Sequence, residues 1–277
     1  MLAPALSPTA AAAAESLSVD ARPAADRSIG LHVFGVPGLG EIEPGADLAS
    51  AILVAAADSG RPLASGDVAV VGSKIVSKAE GRVVETRDVE PSPFAEAWAK
   101  RWDKDPAVIE VVLREANRVV RQIGPVLITE THHGFVCANS GVDQSSSGAH
   151  GRLVLLPEDP DASARRLRAG FASAGIDVAV IVSDTFGRAW REGQTDIAIG
   201  IAGMAPLRSY IGETDPHGHE FKVQALCVAD ELAGAAELVK GNLSRVPVAV
   251  VRGYAWAPDD TATIAPILRD SSRDLFR

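Results

Sequence analysis

The sequence predicts an α+β protein built on a mixed sheet. Strand-length apolar runs and helical periodicities follow one another along the chain without a regular βα alternation and without an all-β array. No internal repeat is visible, which excludes a solenoid or propeller. At 277 residues and 47% apolar composition, the chain has material for one large domain or two lobes around a substantial core.

Taken in order, Leu31–Val36 alternates loosely and runs into the turn-rich Pro37-Gly38-Leu39-Gly40. Asp47–Asp58 has helical periodicity, with Leu48, Ile52 and Ala55-Ala56 on one side. Val68–Val71 is a short, fully apolar strand after Gly66-Asp67. Ala107–Arg121 reads as a helix, with Val108, Val111, Val112, Ala116 and Val119 forming its stripe and Pro106 suited to its first turn. Val126–Thr129 and Phe135–Ala138 are strands flanking Glu130–Gly134, and Arg152–Leu156 is a further strand. Asp161–Ala174 reads as a helix opened by Asp161, and Asp177–Ser183 as a buried strand ending in polar residues. Ile197–Ile201 suits a strand, Gln224–Lys240 a helix closed by Gly241, and Val246–Val251 a final apolar strand. The Ala-rich stretch 1–28 lacks the basic flank of a secretory signal and is expected to be a disordered leader. Residues 29–257 form the expected main domain, and the polar, weakly periodic 258–277 an extension or linker.

The net charge of −9 argues against a nucleic-acid partner, which needs a basic surface, yet leaves room for an anionic small molecule met by local cations. No segment approaches the apolar length that spans a bilayer, so a cytoplasmic protein without a membrane partner is expected. Cys137 and Cys227 sit in apolar runs and read as buried small hydrophobes rather than a disulfide.

Three constellations carry candidate chemistry. Asn139-Ser140-Gly141-Val142-Asp143-Gln144-Ser145-Ser146-Ser147 gathers short oxygen-bearing side chains directly after a strand, which suits a hard cation or phosphate oxygens as well as a solvated turn. Ser183-Asp184-Thr185-Phe186-Gly187-Arg188-Ala189-Trp190-Arg191 delivers an Asp and a hydroxyl at the carboxyl end of a buried strand, where open sheets place ligands. Its arginines are natural forks for carboxylate or phosphate, and a helix cap with surface arginines is the plainer alternative. Gly72–Arg82 adds Lys74 and Lys78 after a strand, without Walker A spacing, and reads on spacing alone as a solvated basic loop. His132-His133 and His217-Gly218-His219 are too poor in companion ligands to read as a zinc site.

The runs Val76–Arg82, Ile128–Asn139, Gly141-Val142-Asp143, Ser183–Arg188 and Ala229–Leu238 together strongly resemble the coenzyme F420 γ-glutamyl ligase family, in that family's order from about Leu31 to Trp256. The resemblance implies a dimer-forming α+β fold over 29–257. It implies GTP-dependent addition of L-glutamate to the deazaflavin F420-0 through an acyl phosphate, with further γ-linked glutamates to follow. Mg²⁺ or Mn²⁺ and K⁺ are the implied cofactors, and a nitroreductase-like domain, fused or separate, an implied companion. Matched residue by residue, Asp143, Asp184 and Thr185 fall on the family's metal positions, and Asn242 where the family usually has glutamine. Nucleotide contacts are implied for Leu39, Gly40, Glu41 and Ile42, for Ser73, Lys74 and Lys78, and for Ser146. They are implied also for Lys240, Gly241, Asn242, Leu243, Ser244, Arg245, Val246 and Pro247. Asp143, Asp184 and Lys78 carry the implied catalysis, and Arg188 or Arg191 is suited to hold an anionic substrate group. Two other readings use the same residues: a metal-dependent phosphohydrolase, and a non-catalytic deazaflavin-binding domain of a bifunctional protein.

Overall fold

The computed structural model describes residues 30–144, 151–241 and 243–274. Its centre is a six-stranded sheet of order β1 (His32–Gly35), β12 (Val248–Arg252), β2 (Val68–Gly72), β8 (Ala179–Arg188), β9 (Arg191–Met204) and β13 (Pro258–Asp259). Only β2 and β8 run parallel; every other neighbouring pair is antiparallel. The mixed sheet meets the α+β expectation. β2 and the first half of β8 are continuously apolar because they lie in the middle of the sheet, covered on both faces. Val68, Val70 and Val71 are fully buried, each worth about 1.5–3 kcal/mol of transfer free energy.

Helices α5 (Pro160–Ser173) and α6 (Val228–Lys240) pack against this sheet, and α1 (Leu48–Asp58) packs on α5 with its apolar side in the same core. Asp47 caps α1 by accepting the Ser50 N–H at 3.0 Å. α5 corrects the sequence expectation in one detail. Its cap is Asp159, which accepts the Ala162 N–H at 2.9 Å, because Pro160 takes the first helical position, where no N–H is needed. Asp161 is thereby free to accept the Ile201 N–H of β9 at 2.9 Å, and Asp230 of α6 accepts the Ala198 N–H of the same strand at 2.9 Å. Gly200, between them, lies so close to α5 that a Cβ would stand 2.3 Å from the Pro160 carbonyl oxygen.

A smaller lobe is formed by α3 (Pro93–Trp102), α4 (Pro106–Arg114) and the sheet β4 (Ala116–Ile123), β5 (Val126–Thr131), β6 (Val136–Ala138). Here Trp98, Ile109, Val112 and Leu127 make a separate core cluster. The helix expected over Ala107–Arg121 stops at Arg114, and its second half is a strand. Past Arg114 the residues are β-branched, Val119-Val120 and Ile123, and Gly124-Pro125 turns the chain back so that β4 pairs with β5. Val119 is 45% exposed, so the apolar stripe did not continue into a core.

Two further expectations are revised. The basic loop after β2 is a helix, α2 (Ser73–Ala79), because Ile75 and Val76 bury against the main core. The segment after Ser183 is neither cap nor helix: β8 continues to Arg188 and turns through Ala189-Trp190 into β9. The strand pairs with β9 through to Arg188, with register shifts at Val182/Ser183 and Gly187/Arg188. The helix expected over Gln224–Lys240 begins at Val228, since Ala225-Leu226 form β11 and pair with β10 (Arg208-Ser209). Both cysteines are free, with Cys137 buried and Cys227 half-buried. Burial pushes each thiol up to about 12. Pro258-Asp259 pair with the end of β9, and Ala262 and Ile264 bury in the main core. No helix among the described residues is long and apolar enough to cross a membrane.

Candidate active site

The parallel register of β2 and β8 sets Gly72 beside Ser183, so the first residues of α2 emerge next to Asp184. Ser73 Oγ donates to Asp184 Oδ1 at 2.9 Å. The next residue, Lys74, forms an ion pair with Asp143. Two adjacent residues of one helix start therefore hold two aspartates that are 41 positions apart in the chain.

Asp143 is fixed from behind. Its N–H and C=O exchange hydrogen bonds of 2.9 Å with Val154, next to β7 (Arg152–Val154) and β3 (Val83–Glu85), which pair with each other. It follows a tight turn in which Asn139, Ser140 and Gly141 all have positive φ. For Ser140 that conformation costs about 1 kcal/mol or more and needs compensation. The compensation is visible: buried Ser140 donates to the Val112 carbonyl at 2.8 Å, and its N–H reaches Thr129 Oγ1 at 2.9 Å.

Asp184 is half-buried as a residue, but its carboxyl sits deep. Burial pushes it up to about 6, with the charge of Asp196 acting in the same direction, against the Ser73 hydroxyl, the Thr185 amide and Lys74. A carboxylate so placed is short of positive charge. On the opposite face of β8 the situation is reversed. Thr185 Oγ1 donates to Asp196 Oδ1 at 2.6 Å and Ser183 Oγ to Asp196 Oδ2 at 2.9 Å. Lys240 Nζ meets that same Oδ2 at 2.6 Å and Ser183 Oγ at 2.7 Å.

The segments matched to nucleotide contacts converge on the β2–α2 junction. Lys78, one turn after Lys74, bonds Glu41 Oε2 at 3.1 Å. That bond, with the Lys78 charge and more weakly the Arg245 charge, holds the Glu41 carboxyl below its usual range. The Gly72 N–H donates to the Pro247 carbonyl at 2.9 Å, and the Ser244 hydroxyl donates to the Lys240 carbonyl. Gly40, Gly241, Leu243 and Arg245 are exposed, Leu39, Val246 and Pro247 half-buried, and Ile42 belongs to the main core. Lys240 departs from the rest, because its ammonium is turned inward to Asp196 rather than toward the junction. Thr185 also points its hydroxyl away from Asp184. Arg188 and Arg191 are exposed at the β8–β9 turn, where Arg188 donates to the Glu192 carbonyl at 2.9 Å. Ser146 and Asn242 lie outside the described residues.

The imidazoles of His132 and His133 bond to backbone carbonyls. His132 meets the Arg114 carbonyl at 2.8 Å and His133 the Pro157 carbonyl at 2.9 Å. His217 and His219 lie in an exposed turn whose N–H groups donate to Asp215. Among the described residues no three His, Cys, Asp or Glu side chains cluster as a metal cage. The donor set at the junction is instead a carboxylate pair with a hydroxyl. That suits a hard oxygen-loving cation which takes its remaining ligands from water and phosphate. Sequence reasoning missed Asp196; its signal was one carboxylate just before the apolar run Ile197–Met204, legible only once the hairpin register is known.

Fold and site define an α+β protein in which two aspartates meet the adjacent Ser73 and Lys74 at the strand ends of an open mixed sheet. The chain belongs to the family described as F420-0:Gamma-glutamyl ligase, which matches residues 38–253. It is 40% identical over 252 residues to the coenzyme F420:L-glutamate ligase of Methanothermobacter thermautotrophicus, covering 90% of this chain and 100% of the relative. It is 43% identical over 255 residues to the protein of that name from Methanopyrus kandleri, covering 89% and 98%. Over 237 residues it is 43% identical to that of Halobacterium salinarum, covering 83% and 90%.

Proposed function

We propose that this protein joins the α-amino group of L-glutamate to the carboxyl group of the deazaflavin F420-0, and adds further glutamates through γ-links, with GTP driving each ligation. The observation that carries the reading is the convergence of Asp143 and Asp184 on the adjacent Ser73 and Lys74, beside the segments 39–42 and 240–247. Family membership supplies the substrates.

A carboxylate is a poor acyl donor, so one of its oxygens first attacks the γ-phosphorus of GTP, releasing GDP and forming an acyl phosphate. The glutamate amine then attacks the acyl carbon, loses a proton, and phosphate leaves. The first step brings two anions together, and positive charge must offset their repulsion. Lys74 and Lys78 supply it from one side of α2. Asp143 and Asp184 would hold Mg²⁺ or Mn²⁺, whose chemistry when bound is to neutralise and orient phosphate oxygens. Asn242 and K⁺ complete the proposed cation set, without the Thr185 hydroxyl, which is committed to Asp196 on the far face of β8. Arg188 and Arg191 are proposed to meet an anionic substrate group. The active form is proposed to be a homodimer.

Incubation of the purified protein with F420-0, GTP, Mn²⁺ and L-glutamate tests the reading by mass spectrometry. The expected product is heavier by one glutamyl unit for each GTP cleaved, with no GTP cleavage when glutamate or deazaflavin is omitted. GTP cleavage that ignores both acceptors would instead identify a phosphohydrolase.

A further inference from the structure

Asp184 is flanked in β8 by two hydroxyl residues, and a single buried carboxylate holds both. Asp196 stands directly opposite Thr185 in the β8–β9 hairpin. One of its oxygens accepts from Thr185 at 2.6 Å and the other from Ser183 at 2.9 Å. Strand alternation places Ser183 and Thr185 on one face and Asp184 on the other. The contacts agree, since Asp184 faces Ser73 of α2 while Ser183 meets Lys240 at the end of α6 and Thr185 meets Asp196. Lys240 locks the arrangement from behind, at 2.6 Å from Asp196 and 2.7 Å from Ser183, with Glu237 at 3.7 Å. Asp196 is 3% exposed and Lys240 5%, so the pair is out of reach of any substrate.

We propose that Asp196 and Lys240 are positioning residues for Asp184: they grip its two chain neighbours from the far face of β8 and so keep its carboxylate aimed at Ser73 and Lys74. The inference rests on the reading of Asp184 as a cation ligand. Partners that orient a ligand set metal affinity although they never touch the ion, and losing them costs roughly 10–100-fold. A buried ion pair kept only for stability could be exchanged for apolar residues with little consequence. Here each oxygen of the carboxylate is committed to one side of the same ligand residue, an arrangement that packing alone does not require.

The test titrates Mn²⁺ alone onto the full chain, reading the free ion by electron paramagnetic resonance, alongside the Mn²⁺ midpoint for ligation and the KM for glutamate. The variant Asp196→Asn with Lys240→Met removes both charges together, so neither is left buried and unpaired. It is expected to unfold cooperatively as the parent does, to bind Mn²⁺ about tenfold more weakly, to shift the ligation midpoint equally, and to leave the KM for glutamate unchanged. Parental Mn²⁺ affinity in this folded variant overturns the proposal. Should the pair variant fail to fold, Ser183→Ala decides, since it deletes one grip and no charge. About threefold weaker Mn²⁺ binding supports the inference, and unchanged affinity overturns it. Asp184→Ala is the control that separates the two levels. If it leaves Mn²⁺ binding intact, the cation reading of Asp184 fails; if it alone weakens binding, only the positioning role fails.

Discussion

Asp184 and Asp196 sit on paired strands of one hairpin, almost opposite each other, and they are treated in opposite ways. Asp196 is wholly buried and fully partnered, by two hydroxyls and an ammonium. Asp184 is only half-buried, yet burial and the charge of Asp196 push its carboxyl up to about 6. Interiors tolerate a charge when its hydrogen bonds and countercharge are supplied, and the desolvation of Asp196 is offset in that way. For Asp184 the chain supplies one hydroxyl, a backbone amide and a lysine whose own ion pair is with Asp143. The contrast separates an acid whose partners lie within the fold from one whose proposed partner is a cation.

The comparison can be broken most severely through activity. Asp184→Ala should lower ligation at least about a thousandfold, the scale expected when a group that organises transition-state charge is lost. Its melting temperature should stay within a few degrees of the parent, as followed by circular dichroism. Near-parental turnover would place Asp184 among the structural acids. Asp196→Ala should do the reverse as its primary effect. It leaves the buried Lys240 ammonium with Glu237 at 3.7 Å as its remaining ion-pair partner and should cost about 3 kcal/mol in denaturant unfolding. A loss below about 1 kcal/mol would mean that the pair is not the anchor its geometry describes. The smallest effect concerns Cys227, whose half-exposed thiol is pushed up to about 12 by burial, against the influence of the Asp230 amide. A raised thiol pKa means less thiolate at pH 8, so a chromogenic disulfide should react far more slowly than with a free cysteine. The rate should climb steadily up to pH 10 instead of levelling near 9. A fast phase at pH 8 would refute the burial of that sulfur.

Much of the frame was legible in the sequence because single elements declared themselves. Val68–Val71 read as a short apolar strand and Asp47–Asp58 as a helix from its apolar stripe, and both elements formed there. The acidic loops around Asp143 and Asp184 were visible as polar clusters ending apolar runs, a local property. What stayed hidden was pairwise. Residues 116–121 continue a helical stripe on paper and become a strand because Val126–Thr131 offers its hydrogen bonds. Ser73 and Lys74 looked like a solvated loop until the β2–β8 register brought them against Asp184 and the turn at 139–141 brought Asp143 to them. Lys240 matched a nucleotide segment by position, and its partner Asp196 could not be chosen from sequence without knowing how the hairpin aligns.

One last feature bears on the company the protein keeps. The outer rim of β9 hands its Ala198 and Ile201 amides to Asp230 and Asp161, carboxylates carried on helices. A carboxylate can receive a hydrogen bond but offers none in return, so it terminates a ladder that another chain's backbone would extend. Short of Gly203 and Met204, where β13 pairs, the rim of β9 is met by acids and gives newcomers nothing to zip onto along that stretch. Crowding many copies together should therefore not recruit this border into fibrils.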